Sequence, residues 1–314
     1  MKKNVWVGMA ALLALSALLG CSRQQGGGGK TRIGYICNNF NDTFQGYIMN
    51  EAKAFFADKS EYEVIFQDAQ EDVIKQQDLA STLIAQGVKA LIVVPVNTNA
   101  TAPITSAAQE AKIPLVYVNR NPFGEGTLPA NVYYVGSQEV IAGQMQMEAM
   151  GNLLGGSGGV AILIGKLDNE GALLRTEGNK DTIKRKFPGV SILAEETANW
   201  QRDQGLSLTE NWLTAYGMDL KGILANNDEM ALGAVEALKA AGRTDVLVMG
   251  VDAIPDAKAA VSDGSLAATV LQDAAGQGRG AAETAYKVLR GDVPQSITWV
   301  PFILITKENL AQHQ

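Results

Sequence analysis

The polar residues of this chain gather where apolar runs end: Asn38 to Asp42, Asn119-Arg120-Asn121, Asn226-Asn227-Asp228, Asp252, and Gln272-Asp273. These residue types suit hydroxyls. A polyol hydroxyl both donates and accepts, so carboxylate, amide and guanidinium groups can hold it through paired hydrogen bonds. Its C–H faces are apolar and suit an aromatic plate. Phe44, after Asp42-Thr43, and Trp200, in Ala198-Asn199-Trp200-Gln201, stand beside such junctions. Taken singly, each cluster reads equally as a solvated turn or a helix cap, and core packing is the plain alternative for the two aromatics. Recurrence at the same end of several runs, in both halves of the chain, is what points to a site.

Other chemistries find less support. Cys37 and several serines are present, but the one histidine, His313, sits beside the C-terminus, where a disordered tail is expected. No histidine inside the fold could activate a nucleophile, and a single histidine with two cysteines does not make a metal site or a disulfide framework. Gly276-Gln277-Gly278-Arg279-Gly280-Ala281 matches a dinucleotide loop only loosely, and a Walker lysine is missing. Small residues for close helix packing beside a hinge explain it better. No enzyme, metal or cofactor is expected.

The elements that would position the clusters alternate. Strands are expected at 32–37, 64–67, 90–94, 115–118 and 132–135, with helices at 44–56, 73–86 and 101–111 between them. The pattern restarts after Gly136. A helix at 140–154 is followed by a Gly-rich turn at 155–159 and strands at 160–164, 190–194, 222–224, 246–250 and 266–271. Helices at 173–186, 203–215, 229–241 and 257–263 separate these strands. Single strands separated by single helices specify parallel sheets covered on both faces. Ligands in such sheets bind outside the carboxyl ends of the strands, so two α/β units facing each other make a cleft.

The N-terminus has the parts of an export signal: Lys2 and Lys3, an apolar run over 5–19, and Leu18-Leu19-Gly20-Cys21. The run is short for a membrane span, which needs roughly 20 apolar residues, so removal of residues 1–20 is expected. A cysteine after the small residue resembles a bacterial lipobox, with Cys21 the lipidated first residue; a plain secretory signal is the alternative. Residues 21–30 then form a flexible, glycine-rich tether. Loss of 1–20 removes two lysines and no acid, moving the formal charge from −7 to −9. An acidic body argues against nucleic acid and anionic membrane surfaces, so membrane contact is expected through the anchor only. About 285 residues follow, enough for two domains.

The blocks Asn226-Asn227-Asp228-Glu229-Met230-Ala231-Leu232-Gly233-Ala234 and Gly250-Val251-Asp252-Ala253-Ile254-Pro255 resemble the ribose- and galactose-type periplasmic solute-binding proteins. The resemblance runs from about Thr31 to the C-terminus. Within that family, Pro114 to Arg120, Asn169-Glu170 with Arg175-Thr176-Glu177-Gly178, Thr197 to Trp200, and Trp299 to Phe302 are similar to the inositol- and rhizopine-binding branch.

The resemblance implies a type I fold: α/β, two Rossmann-like lobes with parallel sheets, joined by a hinge of three crossings near 136–139, 271–275 and 299–302. The first lobe would combine 31–137 with 274–299, and the second 138–273 with 300–314. It implies ligand roles for Asp42, Phe44, Asn119 and Arg120 from the first lobe. Asn169, Arg175, Trp200, Asn227, Asp252 and Gln272 would act from the second. Gln272 matches the ribose type. Asn169 and Gly171 replace the histidine and aspartate of the galactose branch, which puts galactose and glucose in doubt, and the calcium loop of some relatives has no counterpart.

The function implied is the binding lipoprotein of an ABC-type importer, a monomer that holds a small neutral sugar or cyclitol, foremost myo-inositol, and docks on the membrane permease. It would be exported and anchored facing the periplasm or cell exterior. A glucose-, galactose- or ribose-binding protein of the same fold, also able to serve a chemoreceptor, is the alternative. A repressor of the lactose type shares the fold but needs an N-terminal helix-turn-helix where the signal and tether stand.

Overall fold

Short runs of Val, Ile, Leu and Tyr become strands buried on both faces, and that double burial sets the architecture. The computed structural model describes residues 29–124 and 126–313. The expected signal, Cys21 and the tether as far as residue 28 lie outside the described residues. In chain order the first half is β1 (Thr31–Cys37), α1 (Thr43–Phe56), β2 (Tyr62–Asp68), α2 (Val73–Ala85), β3 (Ala90–Val93), α3 (Ala102–Glu110), β4 (Leu115–Val118) and β5 (Val132–Gly136). There follow α4 (Glu139–Leu153), β6 (Ser157–Ile164), α5 (Glu170–Lys186), β7 (Gly189–Thr197), α6 (Arg202–Tyr216), β8 (Leu220–Ala225), α7 (Asp228–Ala240), β9 (Leu247–Asp252), α8 (Pro255–Asp263) and β10 (Ala268–Leu271). The chain ends with α9 (Ala274–Leu289), β11 (Ile297–Trp299) and β12 (Ile303–Ile305).

The strands form two sheets. One has the order β11-β5-β4-β3-β1-β2 and is wholly parallel; the other has the order β12-β10-β9-β8-β6-β7, with β12 alone antiparallel. Helices cover both faces of each. Ile33, Tyr35 and Val116 meet Ile48 of α1 and Ala281 of α9 on one side of the first sheet, while Ile36, Leu91 and Val93 meet Leu83 of α2 and Ile104 of α3 on the other. In the second sheet Ile223 and Val248 pack under Met230 and Val235 of α7, and Ile162 and Leu224 pack under Met147 and Met150 of α4. The chain passes between the sheets three times: from β5 to α4, from β10 to α9, and from β11 to β12. This is the expected two-lobed fold with its three-crossing hinge.

Asp42, Asp72, Asn169, Asn227 and Asp273 each accept a backbone N–H in the first turn of α1, α2, α5, α7 and α9. Such caps each contribute about 1 kcal/mol. Four of the five belong to the polar clusters or site residues read from the sequence, so the cap reading is correct for them.

Two local expectations change, at the Gly-rich turn and at His313. The Gly-rich turn is shorter, because Ser157 to Gly159 already pair with β7, and a Cβ on Gly159 would crowd the Asp219 carbonyl. The segment 274–289 is a full helix despite Gly276, Gly278 and Gly280, which weaken helices intrinsically. Packing on α1 restores it: a Cβ on Gly278 would overlap the carbonyl of Ile48, so the close-packing reading of this stretch holds. His313 does not trail in solvent. It is half-buried after a turn at Leu310–Gln312, and Leu310 packs against the second-lobe core.

The α4–α5 contact is equally close, since a Cβ on Gly143 would overlap the carbonyl of Arg175. Gly143→Ala is expected to lower stability by about 1–3 kcal/mol in urea denaturation. Gly46→Ala, on α1 with open space around it, is expected to raise it by roughly 0.5–1 kcal/mol. Equal effects of the two changes would remove the packing argument.

Candidate ligand-binding site

The carboxyl ends of both sheets face one cleft, and the turns that follow the strands supply its walls. Its centre is Arg175 on α5, only 5% exposed. Nε donates to Glu139 Oε2 at 2.6 Å, Nη1 to the carbonyl of Asn226 at 2.6 Å, and Nη2 to Gln272 Oε1 at 3.1 Å. Gln272 Nε2 closes the ring on Glu139 Oε1 at 3.1 Å. Asp252 Oδ1 lies 3.8 Å from Nη1, and the Trp200 and Phe302 rings lie 5.8 and 5.9 Å from the guanidinium. Burial works against the Arg175 charge, but Glu139 and Asp252 outweigh it and hold its pKa above the ordinary value.

The first-lobe wall is a chain of amides. Gln45 Nε2 donates to Asn119 Oδ1 at 2.7 Å, Asn119 Nδ2 to Gln277 Oε1 at 3.0 Å, and Gln277 Nε2 to Ser137 Oγ at 3.1 Å. The chain thus runs from the cleft to the first crossing. Arg120 Nη1 donates to the carbonyls of Pro95 and Val96, leaving Nε without a partner. Asp42 caps α1 through Gln45 N–H, and Phe44 follows it on the same turn. Burial raises the Asp42 carboxyl, with Arg120 opposing.

On the second-lobe side a Cβ on Gly165 would overlap the Trp200 ring, so glycine there gives the indole its seat. Asn227 Nδ2 donates to the Trp200 carbonyl at 3.3 Å while its Oδ1 caps α7. Asn169 caps α5 and brings Glu170 to the helix start. Asn119, Trp200 and Asp252 all sit at positive φ, +68°, +67° and +121°. Non-glycine residues rarely hold such angles unless the surroundings fix them, and such residues cluster at binding sites. At the mouth the lobes touch through Lys166–Glu71 at 2.5 Å, Thr43–Glu229 at 3.3 Å and Asn121 N–Glu170 at 3.3 Å.

All ten residues expected at the site, Asp42, Phe44, Asn119, Arg120, Asn169, Arg175, Trp200, Asn227, Asp252 and Gln272, line this cleft. Gln45, Glu139, Glu170 and Gly171 also line it and were not expected to. Each lies in the first turn of a helix that follows a strand, so reading one turn past each strand end would have found them. Cys37 lies buried at the end of β1, and burial pushes its thiol up to about 12, far from a nucleophile's range. What the arrangement can do is hold hydroxyls: carboxylates and amides on both walls, an aromatic ring on each, and one guanidinium beneath.

Comparison with known proteins agrees with this geometry. A family profile for a periplasmic binding protein domain matches residues 33–292. A putative rhizopine-binding protein of Rhizobium meliloti is 42% identical over 285 residues, covering 90% of this chain and 92% of the relative. The crystal structure of an ABC transporter solute-binding protein from Bacillus halodurans with bound myo-inositol superposes with a TM-score of 0.85 at 36% identity, covering 92% of this chain and 98% of that one. A Caulobacter myo-inositol-binding protein, bound to myo-inositol, gives 0.84 at 29%, covering 90% and 95%.

Behind the site, Asp228 is fully buried and accepts from Thr269 Oγ1 at 2.6 Å and Ile254 N at 3.0 Å. Burial pushes its carboxyl up to about 7 against these hydrogen bonds. With the folded pKa above the unfolded one, the folded state binds the extra proton, so this group's stabilisation is lost as pH rises from about 4 to about 7. Asp228→Asn should flatten the fall of melting temperature across that window in scanning calorimetry. An unchanged slope would show that another group carries it.

Proposed function

The chain belongs to the periplasmic binding protein family, and from that premise we propose that it is the solute-binding component of an ABC-type importer. Its solute would be a polyol of monosaccharide size, in the first place a cyclitol of the inositol type. The observation that carries this reading is the convergence on one cleft of hydrogen-bonding side chains from both lobes, with Phe44 and Trp200 available for the two faces of a ring. Asn169, used as a helix cap, and Gly171 stand where the resemblance puts the histidine and aspartate of galactose-type sites, and Gln272, held between Arg175 and Glu139, matches the ribose type.

In this reading Asp42 and Asn119 capture ring hydroxyls from the first lobe. Arg175, Trp200, Asn227 and Asp252 add contacts that exist only when the lobes close. A solute shifts the open–closed equilibrium only through its extra affinity for the closed form, so the second-lobe groups govern closure. Sheet pairing supports assigning 31–137 with 274–299 to one lobe and 138–273 with 300–314 to the other. The family supports export to the periplasm; the lipid anchor at Cys21, action as a monomer and docking of the closed form on a permease complete the proposal. Binding, not catalysis, is its activity.

Calorimetric titration of protein unfolded and refolded to strip carried solute tests this directly. Myo-inositol is expected to bind with a Kd of about 1 µM or tighter, and glucose, galactose and ribose far more weakly. Asp252→Asn should weaken binding by about tenfold, the loss of one charged hydrogen bond. Tight binding of an aldose in place of myo-inositol would overturn the cyclitol assignment and leave the transport role standing.

A further inference from the structure

Resting on the reading of the cleft as a solute site, we propose that Glu139 and Gln272 act as one positioning pair that sets the Arg175 guanidinium for the solute. Gln272 then works through Arg175 instead of holding a hydroxyl itself. The resemblance gives Gln272 a direct ligand role and Glu139 none. Arg175, Glu139 and Gln272 are 5%, 2% and 2% exposed, so their partners, and not water, orient them.

The donor types leave one arrangement. A guanidinium only donates and an ionised carboxylate only accepts. An amide placed between them must turn its oxygen to the arginine and its nitrogen to the carboxylate. Gln272 does this: Oε1 accepts from Arg175 Nη2 at 3.1 Å, and Nε2 donates to Glu139 Oε1 at 3.1 Å. Glu139 Oε2 accepts from Arg175 Nε at 2.6 Å. The side of the fork that a single carboxylate could take bidentately is thus shared between an acid and an amide.

Arg175 has five N–H groups. Glu139, Gln272 and the Asn226 carbonyl take one each, from Nε, Nη2 and Nη1. One N–H remains on each of Nη1 and Nη2. Asp252 Oδ1, 3.8 Å from Nη1, is too far to take one of them. A planar fork held at all three nitrogens has no free rotation, so the two remaining N–H groups have fixed directions. Glu139 opens α4 after the first crossing, and Gln272 stands at the second. The guanidinium is therefore set from both crossings, and such preorganisation raises affinity by removing the cost of ordering a donor at binding.

Exchanging the two side chains tests this. In Glu139→Gln a donor faces the Gln272 donor or, if Gln272 turns, the Arg175 donor. In Gln272→Glu an acceptor faces the Glu139 acceptor. In the double variant, Glu139→Gln with Gln272→Glu, every donor again meets an acceptor and the net charge is kept. The readout is titration calorimetry with whichever of myo-inositol, glucose, galactose and ribose binds the unsubstituted protein tightest, alongside melting temperatures. Each single variant is expected to bind about tenfold or more weakly, and the double variant to recover to within about threefold of the unsubstituted protein. The double variant decides alone where a single variant does not fold. Single variants that melt lower but bind as before show a pair that serves stability only, and overturn the inference. A double variant tenfold or more below the unsubstituted protein, as when two groups touch the solute independently and their losses add, overturns it, and so does one that does not fold. Failure of all four solutes to bind the unsubstituted protein overturns the reading of the cleft, and this inference with it.

Discussion

A guanidinium taken out of water has to be answered by the groups around it, and Arg175 is answered from nearly every segment that builds the cleft. Removing such a charge from solvent costs several kcal/mol unless partners replace the hydration. Here Glu139 follows the first crossing, Gln272 stands at the second, and the Phe302 ring belongs to the third. The Asn226 carbonyl and Asp252 come from the ends of β8 and β9. One charge thus holds the three hinge strands and two strand ends in register.

The surroundings of Arg175 are held by features of two kinds. Close packing is one: Gly143 and Gly178 let α4 and α5 approach until backbone meets backbone, which fixes where Arg175 emerges. Conformation is the other. Asn119, Trp200 and Asp252 occupy positive φ, which residues of these types adopt at some cost. Their positions are over-determined by the amide chain to Ser137, the glycine seat at Gly165 and the ring around Arg175. The cleft walls are therefore held from several sides.

Much of this was legible in the sequence because the relevant physics is local. Strands such as Leu115–Val118 and helices such as Asp228–Ala240 follow from apolar runs and 3.6-residue spacing within a residue or two. The polar clusters mark strand ends, and all ten expected residues stand in the cleft. For Asp42, Asn169 and Asn227 a capping role and a place in the cleft coincide, since one carboxylate or amide oxygen caps a helix while the residue lines the cleft. What stayed hidden is non-local. Glu139 reads as a hinge residue until Arg175 is brought beside it, and Gln45 reads as helix interior until Asn119 is. The helix Ala274–Leu289 is stabilised by α1 more than by its own composition, and β11 and β12, three residues each, have no period to detect.

The contacts across the mouth are few and individually weak. Among the described residues Lys166 and Glu71 form the one ion pair there, with side chains 28% and 21% exposed. A pair of that exposure contributes at most about 1 kcal/mol. Thr43–Glu229 and Asn121–Glu170 are single hydrogen bonds of 3.3 Å, and each replaces a bond to water with little net gain. These contacts orient the lobes and contribute little to holding them together. Glu71 is nonetheless prepared for its partner: Asn38 Nδ2 fixes it at 2.6 Å, and Arg120 and Lys166 outweigh its burial to keep it ionised. A weak but pre-oriented latch of this kind adds specificity to the way the lobes meet while adding little free energy to their contact.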